Sequence, residues 1–182
     1  MTSSVDPCRN ALVLNWNDKG SMEGLYIDQL TIEDSDFVTK ALILAERANT
    51  GSGVFDIMLL GASMEEMQRC LHKVVYDGPS DAHINRKNYL VVRSRLSPEG
   101  LPLSNPIPVA CVCVYGDECS VDASFVALGK ASESELGWSD EKFQSNRDQI
   151  SFLKTHWPDA PFEGSWWLES VFTETAWRGK GI

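Results

Sequence analysis

Residues 165–182 combine a strand pattern with a short basic loop. Ser165–Thr173 (SWWLESVFT) is rich in aromatic and β-branched residues, and Arg178–Ile182 (RGKGI) follows it after a polar turn. Glycine lets the backbone approach a ligand closely, so that successive N–H groups converge on phosphate oxygens. Arg178 and Lys180 supply cations in a chain whose net charge is −10. The pattern therefore indicates a site for the pyrophosphate of a cofactor.

The loop differs from two other phosphate-binding motifs. A Walker A motif needs four residues between its glycines and then Lys-Ser/Thr, and a dinucleotide-binding turn needs GxGxxG after the first strand. Neither pattern is present in this sequence. Because basic glycine-containing turns also occur in ordinary surface loops, the assignment depends on the elements around the loop.

Five elements are predicted ahead of this strand, in the order strand, helix, helix, strand, strand. The predicted strands cover 24–32, 88–94 and 108–115, and the predicted helices cover 35–48 and 63–75. Ser63–Glu66 reads as a capping box at the start of the second helix, and Val54–Leu60 as a short helical segment ahead of it. The Gly- and Pro-rich stretch Pro98–Pro108 is predicted to be an extended hairpin loop.

A long segment, residues 116–164, separates the third predicted strand from the last one. A segment of 49 residues without secondary structure would be unusual in a compact domain, so we expect ordered structure here. Its second half predicts a helix that Ser139 caps and Pro158 ends. Residues 131–163 carry seven acids against three bases, and the simplest interpretation is a solvated helix face.

This order of elements, followed by Glu169–Ile182, resembles the GCN5-related N-acetyltransferase superfamily. The acetyl-CoA motif of that family is Gln/Arg-x-x-Gly-x-Gly/Ala, and Arg178, Gly181 and Ile182 fit it in register up to its last position. Thr175 stands where the family usually has a proline. The resemblance implies an α+β fold (an α/β three-layer arrangement) with a mixed, mainly antiparallel central sheet flanked by helices.

The resemblance also implies how the chain is divided. Residues 1–22 are expected to be an N-terminal extension, and residues 23–182 the N-terminal part of the N-acetyltransferase domain, with 116–164 as an insertion. The acyl-CoA N-acyltransferase fold is then incomplete, because the sequence stops inside the acetyl-CoA motif. On this interpretation we expect the 182-residue chain alone to be inactive.

The activity implied by the resemblance is transfer of an acetyl group from acetyl-CoA to a primary amine, which attacks the thioester directly. Backbone groups on the last strand would pair with the pantetheine arm, and the loop would bind the phosphates. The cofactor-binding residues implied are Val171, Phe172, Thr173, Arg178, Gly179, Lys180, Gly181 and Ile182.

Glu169 is the implied catalytic residue. A carboxylate at this strand position would take a proton from the attacking ammonium, because only a neutral amine has a lone pair for the thioester. Burial beside Trp166, Trp167 and Phe172 would raise the pKa of this carboxyl toward the working pH. The alternative is a glutamate that faces solvent or is paired with a base.

Composition excludes several other classes of function. The chain has 16 Lys and Arg against 26 Asp and Glu, which disfavours binding to a nucleic-acid backbone. Its apolar stretches are too short to cross a membrane. Five cysteines without disulfide-like spacing indicate a reducing compartment, most simply the cytoplasm. The three histidines lie far apart and no CxxC is present, so no metal is expected.

Two other functions stay open at this point. The chain could be a non-catalytic or degenerate relative that binds a partner through its sheet edge, or a ligand-binding α/β domain that takes no CoA. If it is an enzyme, the acids of residues 131–163 could form a lid that attracts a cationic acceptor, either a small-molecule or a peptide amine.

Overall fold

The sheet of the computed structural model, which describes residues 24–50, 53–154 and 166–179, has four strands in the order β1-β2-β3-β4. All three pairings between neighbours are antiparallel. The strands are β1 (Leu25–Gln29), β2 (Tyr89–Leu96), β3 (Pro102–Gly116) and β4 (Trp166–Thr173). The predicted α+β class, with a mainly antiparallel sheet flanked by helices, is confirmed.

Five α-helices accompany the sheet in the described part of the chain. They are α1 (Ser35–Thr50), α2 (Val54–Met58), α3 (Met64–His72), α4 (Val121–Leu136) and α5 (Asp140–Lys154). A π turn over Lys73–Asp77 extends α3, and short 3-10 turns cover Ile32–Asp34, Arg86–Asn88 and Thr175–Trp177. None of these helices is long and apolar enough to cross a membrane, among the residues described.

The helices α1 and α3 begin where the sequence predicts. The capping box of α3 is formed as expected: Ser63 Oγ accepts from the Glu66 backbone N–H (3.3 Å), and Glu66 Oε2 accepts from the Ser63 N–H (2.7 Å). The apolar positions of α3 that recur at helical spacing, Met67, Cys70 and Leu71, are buried. Local capping and periodicity were therefore sufficient to predict this helix.

The core lies on one face of the sheet. Tyr89 and Val91 of β2 pair with Cys113 and Cys111 of β3, and all four side chains are buried against the helices. Helix α1 packs on β3 and β4, α3 packs on α1 and α4, and α5 packs on α2 and α4. Cys111 and Cys113 are therefore ordinary core residues.

Two predicted boundaries between strands and loops are wrong. The turn between β2 and β3 is confined to about Ser97–Leu101, and β3 already begins at Pro102. The first half of β3 contains Pro102, Pro106 and Pro108. They are tolerated because, in the described residues, this half pairs with β2 alone and its other edge needs no N–H donors. The predicted first strand is also too long, since β1 ends at Gln29 and a 3-10 turn follows.

The segment between β3 and β4 contains one helix that the sequence predicts and one that it does not. Helix α5 confirms the predicted helix after Ser139, and residues 155–165, which include its predicted end, lie outside the described residues. Helix α4 was not predicted, although Ser120 caps its start and Gly137 (φ 65°) ends it. Its core positions are small or polar, such as Ser124 and Ala131, so the apolar period is weak.

Helices α4 and α5 contribute to the core. A Cβ atom at Gly129 would lie 3.0 Å from the ring of Phe143, which shows how closely the two helices cross. Asp140, Glu141 and Asp148 are exposed on α5. The predicted acidic face therefore belongs to a packed helix, and the lid hypothesis stays a prediction. The predicted extension, residues 1–22, lies outside the described residues.

Candidate functional site

The predicted cofactor strand, β4, is the last strand of the described sheet. Thr173 pairs with Ala110 and Phe172 with Cys111, so both belong to an ordinary antiparallel ladder with β3. The opposite edge of β4 pairs with no strand in the described part of the chain. The backbone groups of that edge are the ones that could pair with an extended ligand.

A β-bulge interrupts β4 beside the predicted pantetheine contacts. Glu169 pairs with Cys113 and Phe172 with Cys111, so Ser170 and Val171 both lie opposite Val112. Ser170 has φ 53°, and it alone among the described non-glycine residues has a positive φ. A left-handed conformation costs an L-residue about 1–2 kcal/mol. Bulges of this kind are common beside active sites because they re-aim side chains and end regular pairing.

Neighbouring side chains of β4 after the bulge point to opposite faces of the sheet. Phe172 is buried and contacts Phe37 of α1 edge to face, with ring centroids 5.8 Å apart. The side chain of Val171, next to it, is 66% exposed. The core therefore fixes β4 from one side through Phe172 while the other side stays accessible.

The turn after β4 is held against the end of the sheet. The Glu174 N–H donates to the Val109 carbonyl oxygen (2.9 Å), and the side chain of Trp177 is buried. Arg178 Nε donates to the carbonyl oxygen of Thr173 (3.0 Å), which places the exposed guanidinium at the carboxyl end of β4. Gly179 has φ 74°, a conformation that favours glycine.

The predicted site residues are described to different extents. The structure places Val171, Phe172, Thr173, Arg178 and Gly179 together, at the end of one strand and its turn. Lys180, Gly181 and Ile182 lie outside the described residues. For Glu169 the described feature is its backbone pairing with Cys113, so its catalytic role and its raised pKa stay predictions.

A buried ion pair, which the sequence did not predict, fixes the start of α1. Asp34 Oδ2 accepts from Arg93 Nη2 (2.6 Å) and from the backbone N–H and the hydroxyl of Thr31 (2.8 and 2.9 Å). Asp34 is 1% exposed. Burial opposes the charge of Arg93, but its bonds to Asp34 and Asp28 outweigh this effect and raise the pKa of the guanidinium.

The cysteines do not form a reactive centre in the described part of the chain. Burial raises the pKa of Cys111 to about 12, with a smaller contribution from the charge of Asp34. Burial also raises the pKa of Cys70 to about 11. Because the thiolate is the nucleophile and the metal ligand, these thiols are inert at neutral pH. The described residues contain no group of three His, Cys, Asp or Glu side chains that could hold a metal ion.

A serine–histidine pair lies elsewhere in the fold. Ser124 Oγ is 2.7 Å from His83 Nδ1, and both residues are buried. The carbonyl oxygen of His83 accepts from Asn88 Nδ2 (2.7 Å) and from Cys113 Sγ (3.3 Å). These hydrogen bonds hold the segment between α3 and β2 against α4 and β3. Since the pair is enclosed, its geometry supports a structural role and not nucleophilic catalysis.

A surface groove of about 630 Å³ lies between the π turn and α4. Small and apolar side chains form much of it, and its charged residues include Lys73, Asp77 and Lys130. None of the predicted site residues that the structure describes lines it. The groove is therefore separate from the candidate site on β4.

Comparisons with known proteins identify no relative of this chain. No protein-family model, no curated protein and no solved structure matches the chain.

Proposed function

We propose that the chain is the part of an N-acetyltransferase that binds acetyl-CoA along the outer edge of β4, and that this enzyme transfers the acetyl group to a primary amine. The observation that carries this proposal is the open, bulged end of β4, followed at once by a turn with Arg178 and a left-handed Gly179. A pantetheine arm offers amide groups that can pair with strand backbone, and a diphosphate needs cations and close backbone approach.

The cofactor-binding residues have two roles. The outer backbone groups of Val171, Phe172 and Thr173 pair with pantetheine. Arg178, Lys180 and the backbone of Gly179–Ile182 bind the phosphates. Arg178 suits this role because its Nε is held by Thr173, so its terminal N–H groups are oriented at the end of the strand.

The chemistry follows from the amine and the thioester. Glu169 takes a proton from the acceptor ammonium, and the freed nitrogen lone pair attacks the thioester carbonyl carbon. The C–N bond forms, the C–S bond breaks, and the CoA thiolate leaves and takes up the second proton that the nitrogen loses. The acidic charge balance of the chain, −10, favours a cationic acceptor, either a small-molecule or a peptide amine.

The protein is proposed to act in the cytoplasm. Cys70, Cys111, Cys113 and Cys119 are free thiols and all are buried. Free thiols persist in reducing compartments, which supports this location.

Two glycines provide a matched test of the phosphate-binding turn. Gly179 and Gly100 both have positive φ (74° and 85°), and a Cβ atom at either would meet no atom within 4 Å. Gly100 lies in the turn between β2 and β3. We expect G179V and G100V to be strained equally, because valine at positive φ costs about the same at each site.

Only G179V should then weaken acetyl-CoA binding, by tenfold or more, in isothermal titration calorimetry. Its branched side chain stands where the backbone must approach the diphosphate. Equal affinities of G179V and G100V would remove the turn from the site. Absence of acetyl-CoA binding by the wild-type protein would contradict the proposal as a whole.

A second candidate function is a non-catalytic module that binds another protein. The observation that favours it is the exposure of Trp166 (59%) and Leu168 (72%) on β4. Large exposed apolar side chains that lie together mark interaction sites.

A further inference from the structure

Hydrogen bonds fix one wall of the surface groove between the π turn and α4. The π turn ends at Gly78, whose N–H donates to the carbonyl oxygen of Val74 (3.2 Å), and a Cβ atom at Gly78 would overlap that oxygen. The buried Asn85 donates from Nδ2 to the carbonyl oxygens of Gly78 and Pro79, both at 3.2 Å. The groove is therefore formed before any ligand enters it, as binding sites usually are. Its π turn is a feature that is frequent at functional sites.

The floor of the groove is made of small apolar side chains. Ala123, Ala127 and Ala131 recur every four residues on one face of α4, and all three line the groove. Ser124 Oγ, on the same helix, lies 2.7 Å from His83 Nδ1, which holds α4 against the opposite wall. Because alanine side chains are short, the main chain of a ligand can lie close to the helix. The charges around this floor decide which ligand that is.

Charges of opposite sign lie at different ends of the groove. Asp77 is the last residue of the π turn, and Asp81 lies beside the start of α4, because its carbonyl oxygen accepts from the Ser120 N–H (2.6 Å). Lys130 lines the groove from the second half of α4. Asp77, Asp81 and Lys130 are exposed, and their side chains form no ion pair with any other residue that the structure describes. These three charges are therefore available to a ligand.

The separation of these charges sets the length of the ligand. Lys73 also lines the groove, but its Nζ is bound to Glu135 Oε1 (3.2 Å), which leaves Lys130 as the cation for a ligand. From Ser120 to Lys130 a helix rises about 15 Å, and the long lysine side chain can shorten this distance by several Å. An extended peptide covers about 3.3 Å per residue, so three or four residues span the 10–15 Å or so between the two ends.

The signs of the charges exclude other classes of ligand. A ligand with two anionic ends would place one of them beside Asp77 and Asp81, and a ligand with two cationic ends would place one beside Lys130. A single free amino acid carries both charges on one carbon atom, so it cannot reach both ends of the groove. The ligand that fits is long, with an ammonium at one end and a carboxylate at the other.

We propose that this groove binds a short peptide with free ends. The peptide ammonium lies at Asp77 and Asp81, the carboxylate lies at Lys130, and the chain between them contacts the alanines of α4. Its amide groups face the open side of the groove and stay hydrated, so they need no partner in the protein. This inference does not depend on acetyl-CoA binding, because the groove is separate from the candidate site on β4.

The test is a titration followed by two-dimensional ¹⁵N–¹H NMR, with four-residue peptides of alanine and valine as probes. Peptides with free ends should shift the amide resonances of α4 and the π turn at concentrations up to about 5 mM. Acetylation of the amino end or amidation of the carboxyl end should each weaken binding about threefold to fivefold, because each removes one surface ion pair. In D77N/D81N the acetylated peptide should bind as well as the free one, and in K130Q the amidated peptide should do so.

The control is K40Q, since Lys40 is also an exposed lysine but lies on α1 and does not line the groove. Three results would overturn the inference. If no probe shifts the groove resonances at about 5 mM, the groove binds no short peptide. Equal binding of free and end-blocked peptides by the wild-type protein would show that the terminal charges have no role. Equal weakening by K40Q and K130Q would show that the net charge of the protein acts, and not Lys130. The dispersion of the same spectra confirms that each variant is folded.

Discussion

Replacing Arg93 by methionine tests how the start of α1 is held against the sheet. The substitution keeps much of the side-chain volume but leaves the Asp34 carboxylate, which is 1% exposed, without its cation. Removing one partner of a buried ion pair costs about 3–5 kcal/mol. We expect the lower end, about 3 kcal/mol, because Thr31 still donates two hydrogen bonds to Asp34. For a chain of this length the melting temperature should fall by about 6–12 °C.

The control for R93M is D28N, since Asp28 also binds Arg93 (3.1 Å) but its side chain is 47% exposed. An exposed pair is worth about 0–1 kcal/mol. Urea unfolding of both variants and of D34N/R93M provides the measurement. The free energy of unfolding should fall less in the double variant than in R93M alone, because the double variant buries no unpaired charge. If R93M loses no more stability than D28N, solvent screens the Asp34–Arg93 pair and the reasoning is refuted.

Three further outcomes can be measured. In an active enzyme that contains this chain, E169Q should lower turnover much more than it changes acetyl-CoA affinity, because the amide cannot accept a proton; a wild-type rate at every pH would show that Glu169 is not the base. G129L should destabilise the fold by about 1–3 kcal/mol in urea unfolding, because its side chain must displace the ring of Phe143, whereas V126L, at an exposed position of the same helix, serves as the control. The contribution of Cys70 and Cys111 to stability should be constant below pH 9 and be lost as the pH rises from about 9 toward 12. The reason is that burial keeps both thiols protonated in the folded chain, with pKa values of about 11 and 12, whereas in the unfolded chain they ionise near 9; a smaller fall of stability above pH 9 in the C70A/C111A variant is the check.

The elements that the sequence predicted correctly are those whose own residues determine them. Helix α3 has a capping box and a strong apolar period, and β2 has a run of apolar strand formers. Helix α4 has neither, because it packs through small residues such as Gly129 against Phe143. Its stability depends on a close helix crossing, and such a contact leaves little apolar signal in the sequence.

The candidate site also contains features that the sequence predicts and features that it does not predict. The strand of β4 and the turn with Arg178 could be predicted from residue types, since aromatic residues favour strands and glycine favours left-handed turns. The bulge could not, because serine at position 170 has no preference that distinguishes it from a regular strand residue. The pair Asp34–Arg93 is separated by 59 residues in sequence. Only the register between β1, β2 and the turn before α1 brings its charges together.

The bulge connects the core to the proposed chemistry. Phe172 must face the core to contact Phe37, and in a regular strand this would fix the direction of every residue before it. With the extra residue Ser170, the part of β4 before the bulge has a register of its own relative to Phe172. The position of Glu169 is therefore set by its pairing with Cys113 and not by the packing of Phe172. Since a left-handed serine costs about 1–2 kcal/mol that a regular strand avoids, the strain lies between Glu169, the proposed base, and Val171–Thr173, the proposed contacts of pantetheine.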